Sequence, residues 1–447
     1  MAAVSPLWYK RPMPPPSHPG LVRAIGRWSL AALIVNSIIG SGLFGLPGVI
    51  AGTLGKASPW AVLLAGAVVG IVMGCFAEVA SQFPQAGGPY LYARVAFGRM
   101  VGIQMGWMLW LTRLTAPAAN ANLFAIYLGQ FFPQAREPVI RFLILTVLVG
   151  TLAIINMRGV RAGTQVSNVF TVAKLAPLFL VAITGVFYLL VDHRISPATP
   201  VPGGSNAWLK ATLLLIFAYG GFEGAVTPMS EAKDPRRDVA FGLFVALLTC
   251  TLLYTVLQWV VVGILPDPAH SERPLSEVAR LTLGHGGAAL VAVGALVAIY
   301  GYLSANMLAV PRITFALAEH GDFPSIFAAV HPRFRTPHFS ILVFALLTWL
   351  FAILGSFAWN VTLSSMARLF CYALVCGALP VLRKQRPEAS AFRLPAGRFF
   401  AGLGVLICLL LLTRVELTSS LILLCTILVA FLNWIWVRKR PAPTFIC

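Results

Sequence analysis

From about residue 28 to the C-terminal end, long apolar runs alternate with short polar stretches. The runs last about 20 residues and do not alternate with period two, so they predict membrane-crossing helices, not barrel strands. Twelve spans can be drawn: 28–54, 60–81, 89–131, 139–157, 163–190, 207–231, 237–264, 286–317, 338–358, 361–382, 398–415 and 418–437. The third is too long for one straight crossing and predicts a strongly tilted helix with an extramembrane start. The first, sixth and eighth are also long. No connecting loop is large enough for a soluble domain, which needs about 50 residues or more.

Composition agrees and narrows the class. Of 447 residues, 58% are hydrophobic and 11% charged, with a mean hydropathy of +0.84. One soluble core cannot bury that much apolar surface, and the same values exclude a disordered chain. The net charge of +19 would suggest nucleic acid in a soluble protein. Here the basic residues fall between spans, where they set topology, so no nucleic-acid partner is expected. They crowd one set of loops, including Arg23, Arg27, Arg94, Arg99, Lys233, Arg236, Arg237, Arg383, Lys384 and Arg438. This bias predicts that both termini are cytoplasmic and that the chain crosses the plasma (cell inner) membrane many times, with the lipid bilayer as its surroundings. Six of the seven cysteines lie inside spans and read as small buried hydrophobes. Residues 1–27, with Pro14-Pro15-Pro16, read as a disordered cytoplasmic tail without a signal-peptide pattern.

Two spans are interrupted. The first contains Ile38-Ile39-Gly40-Ser41-Gly42-Leu43-Phe44-Gly45-Leu46-Pro47, and the sixth contains Phe217-Ala218-Tyr219-Gly220-Gly221-Phe222-Glu223. Each glycine weakens a helix by about 1 kcal/mol relative to alanine. Unwound backbone inside a membrane must line a cavity or contact protein. Close packing through small residues is the alternative for either segment alone. Glycine-interrupted helices five spans apart point instead to a transporter site between two repeated halves.

Four motifs carry a family resemblance: Gly40-Ser41-Gly42-Leu43-Phe44; Phe83-Pro84-Gln85-Ala86-Gly87-Gly88-Pro89-Tyr90; Phe217 to Glu223 continuing into Ser230-Glu231-Ala232-Lys233-Asp234-Pro235-Arg236-Arg237; and Pro311-Arg312 with His320-Gly321-Asp322-Phe323-Pro324. In order and spacing, from about residue 25 to 437, the chain resembles the amino acid–polyamine–organocation superfamily. The resemblance implies an all-α membrane protein of about 12 transmembrane helices. Residues 28–382 would form a 5+5 inverted-repeat, leucine-transporter-type core. Residues 383–437 would add two helices, and 438–447 a short cytoplasmic tail.

Charges inside a bilayer are costly and therefore informative. Lys174 lies about ten residues into the fifth span, roughly 15 Å deep at 1.5 Å per residue, too deep for easy snorkelling. Such an amine can gain and lose a proton near neutral pH when its surroundings balance the two forms. The resemblance sets Lys174 in the place of a sodium ion, beside Gly40 and Ser304, as the proton-coupling group. Glu223 reads either as a structural carboxylate accepting amides of the unwound segment or as a proton-linked gate. Arg113 either faces the central cavity and influences substrate choice or pairs with a lipid or carbonyl. Arg368, in the outer half of the tenth span, either pairs with a carbonyl or joins an outer gate. Arg312 reads as snorkelling, and Glu78 as a partner of a loop arginine.

The function these features imply is secondary active transport of an amino acid with protons. Backbone near Ser41 and Gly42 would bind the carboxylate, and carbonyls of Ile38, Phe217 and Gly220 the amine, with Gly40 and Gly221 completing the breaks. The resemblance suggests Phe217 as an aromatic lid, with Asn120 and Asn306 as polar lining. A neutral substrate is favoured, since a polyamine would want several intramembrane acids. An amino-acid exchanger and a cationic amino acid or polyamine permease are the alternatives. No cofactor or metal is implied. Enzyme chemistry lacks clustered histidines or acids, and no Gly-Lys-Ser/Thr motif supports an ATP-driven pump.

Overall fold

The computed structural model describes residues 26–83, 87–159, 165–192, 204–226, 232–319, 321–387, 391–414 and 417–438. The tail up to residue 25, Pro84-Gln85-Ala86, Ser230, Glu231, His320 and the C-terminal tail from residue 439 lie outside the described residues. The described residues are helical, with no strand. The helices are α1 (Arg27–Ile38), α2 (Ser41–Leu54), α3 (Ser58–Ser81), α4 (Gly88–Phe97), α5 (Arg99–Leu128), α6 (Pro138–Met157), α7 (Gln165–Asp192) and α8 (Ser205–Tyr219). They continue with α9 (Phe222–Ala225), α10 (Pro235–Ile264), α11 (Pro274–Glu319), α12 (His338–Leu354), α13 (Phe357–Gln385), α14 (Gly397–Leu412) and α15 (Leu417–Val437). Among the described residues, seven helical stretches are long and apolar enough to cross a membrane, and α12 and α14 are shorter apolar helices.

Several spans resolve differently from the sequence pattern. The first is two helices, α1 and α2. The sixth is α8 and the four-residue α9, as far as it is described. The third is not one tilted helix: a turn at Gly98 divides it into α4 and α5. The eighth extends upstream to Pro274, with a kink at Gly284, whose φ is +74°. The pattern missed this first segment because Glu277, Arg280 and His285 interrupt it. Its buried side is nevertheless apolar at helical spacing, through Leu275, Val278 and Ala279.

Long helices pack around the interrupted pair. α5 lies against α13, α3 against α10, and α7 against α11. α2 packs on α8, and α1 on both α9 and α10. Outer helices show the reverse of a soluble surface: α15 exposes Leu417, Leu421, Leu424, Leu428 and Leu432 in one stripe. Such a stripe is the face that hydrocarbon covers.

Glu78 anchors one end of this scaffold. It is fully buried and forms a forked pair with Arg383 near the end of α13, both contacts 2.6 Å. It also accepts the Leu394 amide at 2.8 Å. Its partner is thus a helix-end arginine and not a loop one. Glu78→Ala leaves that guanidinium and amide short of an acceptor, at a cost of about 1–3 kcal/mol. The expected result is a lower Tm with unchanged substrate affinity in the folded fraction, read by thermal unfolding and ligand binding on one preparation.

Candidate functional site

The two interruptions meet each other. α1 stops at Ile38, Gly40 is extended (φ −140°, ψ −155°), and α2 restarts at Ser41. α8 stops at Tyr219, Gly220 is extended, and Gly221 has φ +117° before α9 begins. Only glycine adopts the Gly221 backbone without strain. A Cβ there would also collide with the Ser37 carbonyl. The Ser37 hydroxyl donates to the Gly221 carbonyl at 2.8 Å, tying one break to the other. At Gly42 an added Cβ would stand 2.9 Å from Ala218 Cα, so α2 and α8 touch backbone to backbone.

Freed backbone groups at these breaks find specific partners. The Tyr254 hydroxyl on α10 lies 3.0 Å from the Ala218 carbonyl and 3.3 Å from the Ile38 carbonyl, serving the ends of both α8 and α1. The Gly220 amide donates to the Phe217 carbonyl at 3.2 Å. The N-terminus of α2 is different. The first turn of a helix offers amides that have no intrahelical acceptor; here the Leu43 amide turns back to the Gly40 carbonyl at 3.4 Å, and the buried Ser41 hydroxyl has no hydrogen-bond partner among the described residues. An orphan hydroxyl at the positive end of a helix dipole makes a place for an anion.

Lys174 reaches the opposite pole of the same break. Its ammonium donates to the Asn36 carbonyl and, at 2.7 Å, to the Ile39 carbonyl. A cation at the C-terminal end of α1 is favoured by the helix dipole. Lys174 has no hydrogen bond to Ser304, which lies half-buried on α11, the helix packed against α7. An open groove of about 320 Å³ is lined in part by Trp28, Val35, Leu175 and Asn36, one of the two residues that accept from Lys174.

Glu223 sits just past the second break and is buried. It accepts the Gly221 amide at 2.8 Å and the Tyr372 hydroxyl at 3.2 Å. The Arg368 guanidinium on α13 lies 3.5 Å from its other oxygen. Arg368 itself lies over the Phe217 ring, 5.7 Å from its centroid, and presses so closely on Gly220 that no Cβ fits between them. From the other side, Arg113 on α5 occupies the space where a Gly224 Cβ would stand. Glu223 is within electrostatic reach of both arginines.

The polar-lining candidates are less engaged. Asn120 is buried on α5 and donates to the Ala116 carbonyl of its own helix, leaving its Oδ1 without a partner among the described residues. Asn306 likewise donates to the Tyr302 carbonyl one turn back. Arg312 donates to the Leu308 carbonyl. Sequence reasoning missed Tyr254, Tyr372 and Ser37, all of which hold the breaks. A tyrosine inside an apolar span was the available signal, because a buried phenol needs a hydrogen-bond partner.

Beyond the end of α11, Asp322 is fully buried. It accepts from Tyr90 and Arg94 of α4 and from Arg99 at 2.8 Å. These contacts join two of the sequence motifs. No cluster of three His, Cys, Asp or Glu suited to a metal occurs among the described residues.

Comparison with known proteins adds to this geometry. The profile of a family described as "Amino acid permease" matches residues 25–443. The chain is similar to the methylthioribose transporter of Bacillus subtilis, 29% identical over 84% of this chain and 84% of the relative. It is similar to the branched-chain amino acid permease BcaP of the same organism, 26% identical over 93% of this chain and 91% of the relative. It is also similar to cationic amino acid transporter 4 of Mus musculus, 28% identical over 82% of this chain and 60% of the relative.

Proposed function

This chain belongs to the amino acid permease family, and on that premise we propose that it moves an amino acid together with a proton by alternating access. It is a multi-pass membrane protein and a transporter, not an enzyme. The carrying observation is the contact between the two breaks, with an orphan hydroxyl at the start of α2 and a lysine on the carbonyls of Asn36 and Ile39 at the end of α1.

In this reading the substrate carboxylate binds at Ser41 and Gly42. The amine meets the carbonyls of Ile38, Phe217 and Gly220. Ile38 and Phe217 carbonyls already accept one hydrogen bond each, and a carbonyl has two lone pairs. Lys174 carries the coupling proton, and Glu223 holds the second break in shape. The wider frame is a core of two inverted five-helix repeats over 28–382 and two added helices over 383–437. Both termini face the cytoplasm of the plasma membrane.

Phe217 is assigned the lid. Its ring stands 3.3 Å from the position of a Gly42 Cβ and carries Arg368 on its face. Phe217→Ala is expected to weaken substrate affinity and slow transport per folded molecule, with a smaller effect on Tm. Lower Tm with undiminished transport per folded molecule overturns the lid assignment.

The overall reading is tested in reconstituted vesicles. Labelled amino acid should accumulate when an inward proton gradient is imposed and stop when the gradient is collapsed. Uptake that ignores the gradient but requires internal amino acid identifies an exchanger instead.

A further inference from the structure

The two arginines at the second break have no matching number of acids. Glu223 is the only acidic residue in α1, α2, α5, α8, α9 and α13, yet Arg113 and Arg368 both converge on the Gly220–Gly224 stretch. Arg368 is 6% exposed. One guanidinium nitrogen approaches Glu223, while its Nε and Nη1 have no hydrogen-bond partner among the described residues. Tyr302 on α11 lies within electrostatic reach of Arg113, Arg368 and Glu223 together, so the three charges belong to one neighbourhood. One carboxylate against two guanidiniums leaves a net positive charge at a place where an uncompensated charge is costly.

The position of this charge is specific. Phe217 lies between the two poles: its edge approaches Gly42, at the amide-rich start of α2, and its face carries Arg368. A ligand whose carboxylate occupies the α2 terminus would direct its side chain past Phe217 toward the arginines. An uncharged side chain would leave the arginine donors unmet. A cationic side chain would add a third positive charge. A second carboxylate would accept from the planar guanidinium fork, the geometry arginine matches best.

We propose that the side-chain end of the site is an anion subsite formed by Arg368 and Arg113, and that the substrate is an acidic amino acid. This rests on the amino-acid reading above and narrows its substrate from a neutral to a dicarboxylic one. Arg368 holds the side-chain carboxylate through its unpaired nitrogens, Arg113 supplies the second positive charge, and Glu223 keeps Arg368 in place. Some relatives are cationic amino acid transporters by name, and the charge count at this site is opposite to what a cationic side chain requires.

The test compares shape-matched ligands on the purified full-length protein. L-glutamate and L-glutamine differ at the side-chain end by one charge, and L-arginine reverses it. Glutamate is expected to bind at least about tenfold more tightly than glutamine, the effect of a charged hydrogen-bonded pair, with no arginine binding. Arg368→Gln and Arg113→Gln should each bring the glutamate-to-glutamine ratio toward one while glutamine binding persists. Arg368→Lys should retain part of the preference. Arg113 has no short ion pair among the described residues, so its variant decides the matter if Arg368→Gln fails to fold. Glutamine binding as tightly as glutamate, measurable arginine binding, or an unchanged ratio in the Arg113→Gln protein overturns the acidic-substrate proposal alone. Absence of binding by any of the twenty amino acids overturns the amino-acid reading beneath it.

Discussion

Gly42→Leu protein is expected to insert into the membrane and bind no amino acid. The space at Gly42 is closed by backbone: a single Cβ would stand 2.9 Å from Ala218 Cα and 3.2 Å from its Cβ. A backbone atom cannot rotate aside, so α2 must separate from α8. That separation moves the first amides of α2 and the Ser41 hydroxyl off the position proposed for the carboxylate. Overpacking of this kind costs about 1–3 kcal/mol even for small additions. Gly42→Ala should therefore weaken binding on the order of tenfold, and leucine should abolish it. The measurement is equilibrium binding on monodisperse protein, with the elution profile as the control for folding. Unchanged affinity in the leucine variant removes the carboxylate from the α2 terminus.

Lys174→Ala should uncouple uptake from a proton gradient while leaving substrate binding or exchange measurable. In the parent protein the ammonium bridges the Asn36 and Ile39 carbonyls, the last acceptors before the first break. Its charge is attracted by the end of α1, a contribution of about 0.3–2 kcal/mol that disappears on deprotonation. A proton can therefore bias the hold of α7 on the end of α1 without touching the substrate, which is the requirement for a coupled switch. Alanine removes both donors and the charge, so only the uncoupled packing remains. Uptake into vesicles with and without an inward pH gradient reads this directly. Gradient-driven accumulation equal to that of the parent protein ends the role of Lys174 in coupling.

Much of this was legible along the chain, for a physical reason: hydrocarbon imposes a length and a composition on every crossing segment, and both are local properties. The helical class, the breaks at Gly40 and Gly220–Gly221, and the placement of Lys174 within a long apolar helix each follow from residues close together in sequence. The resemblance through the Gly-Ser-Gly and Phe-Pro-Gln-Ala-Gly-Gly-Pro-Tyr segments extended that reading to the family, which the match over residues 25–443 shows. Boundaries were less legible. Gly98 divides a run that hydropathy leaves continuous, and the start of α11 at Pro274 was obscured by charged residues on its exposed side.

Partnerships between distant segments were decided by the tertiary structure. Nothing in the local pattern says that Ser37 should bond Gly221, or that Tyr254 should serve the carbonyl ends of both α1 and α8. Arg113 and Arg368 looked ambiguous in sequence because a charge inside a span has several possible partners. Glu223 had two readings for the same reason, and the packed chain is what brings it to the Gly221 amide, Tyr372 and Arg368. Segment length and polarity set what could enter the membrane. Which charge faces which break depends on the approach of helices more than a hundred residues apart, and that information exists only once the chain is packed.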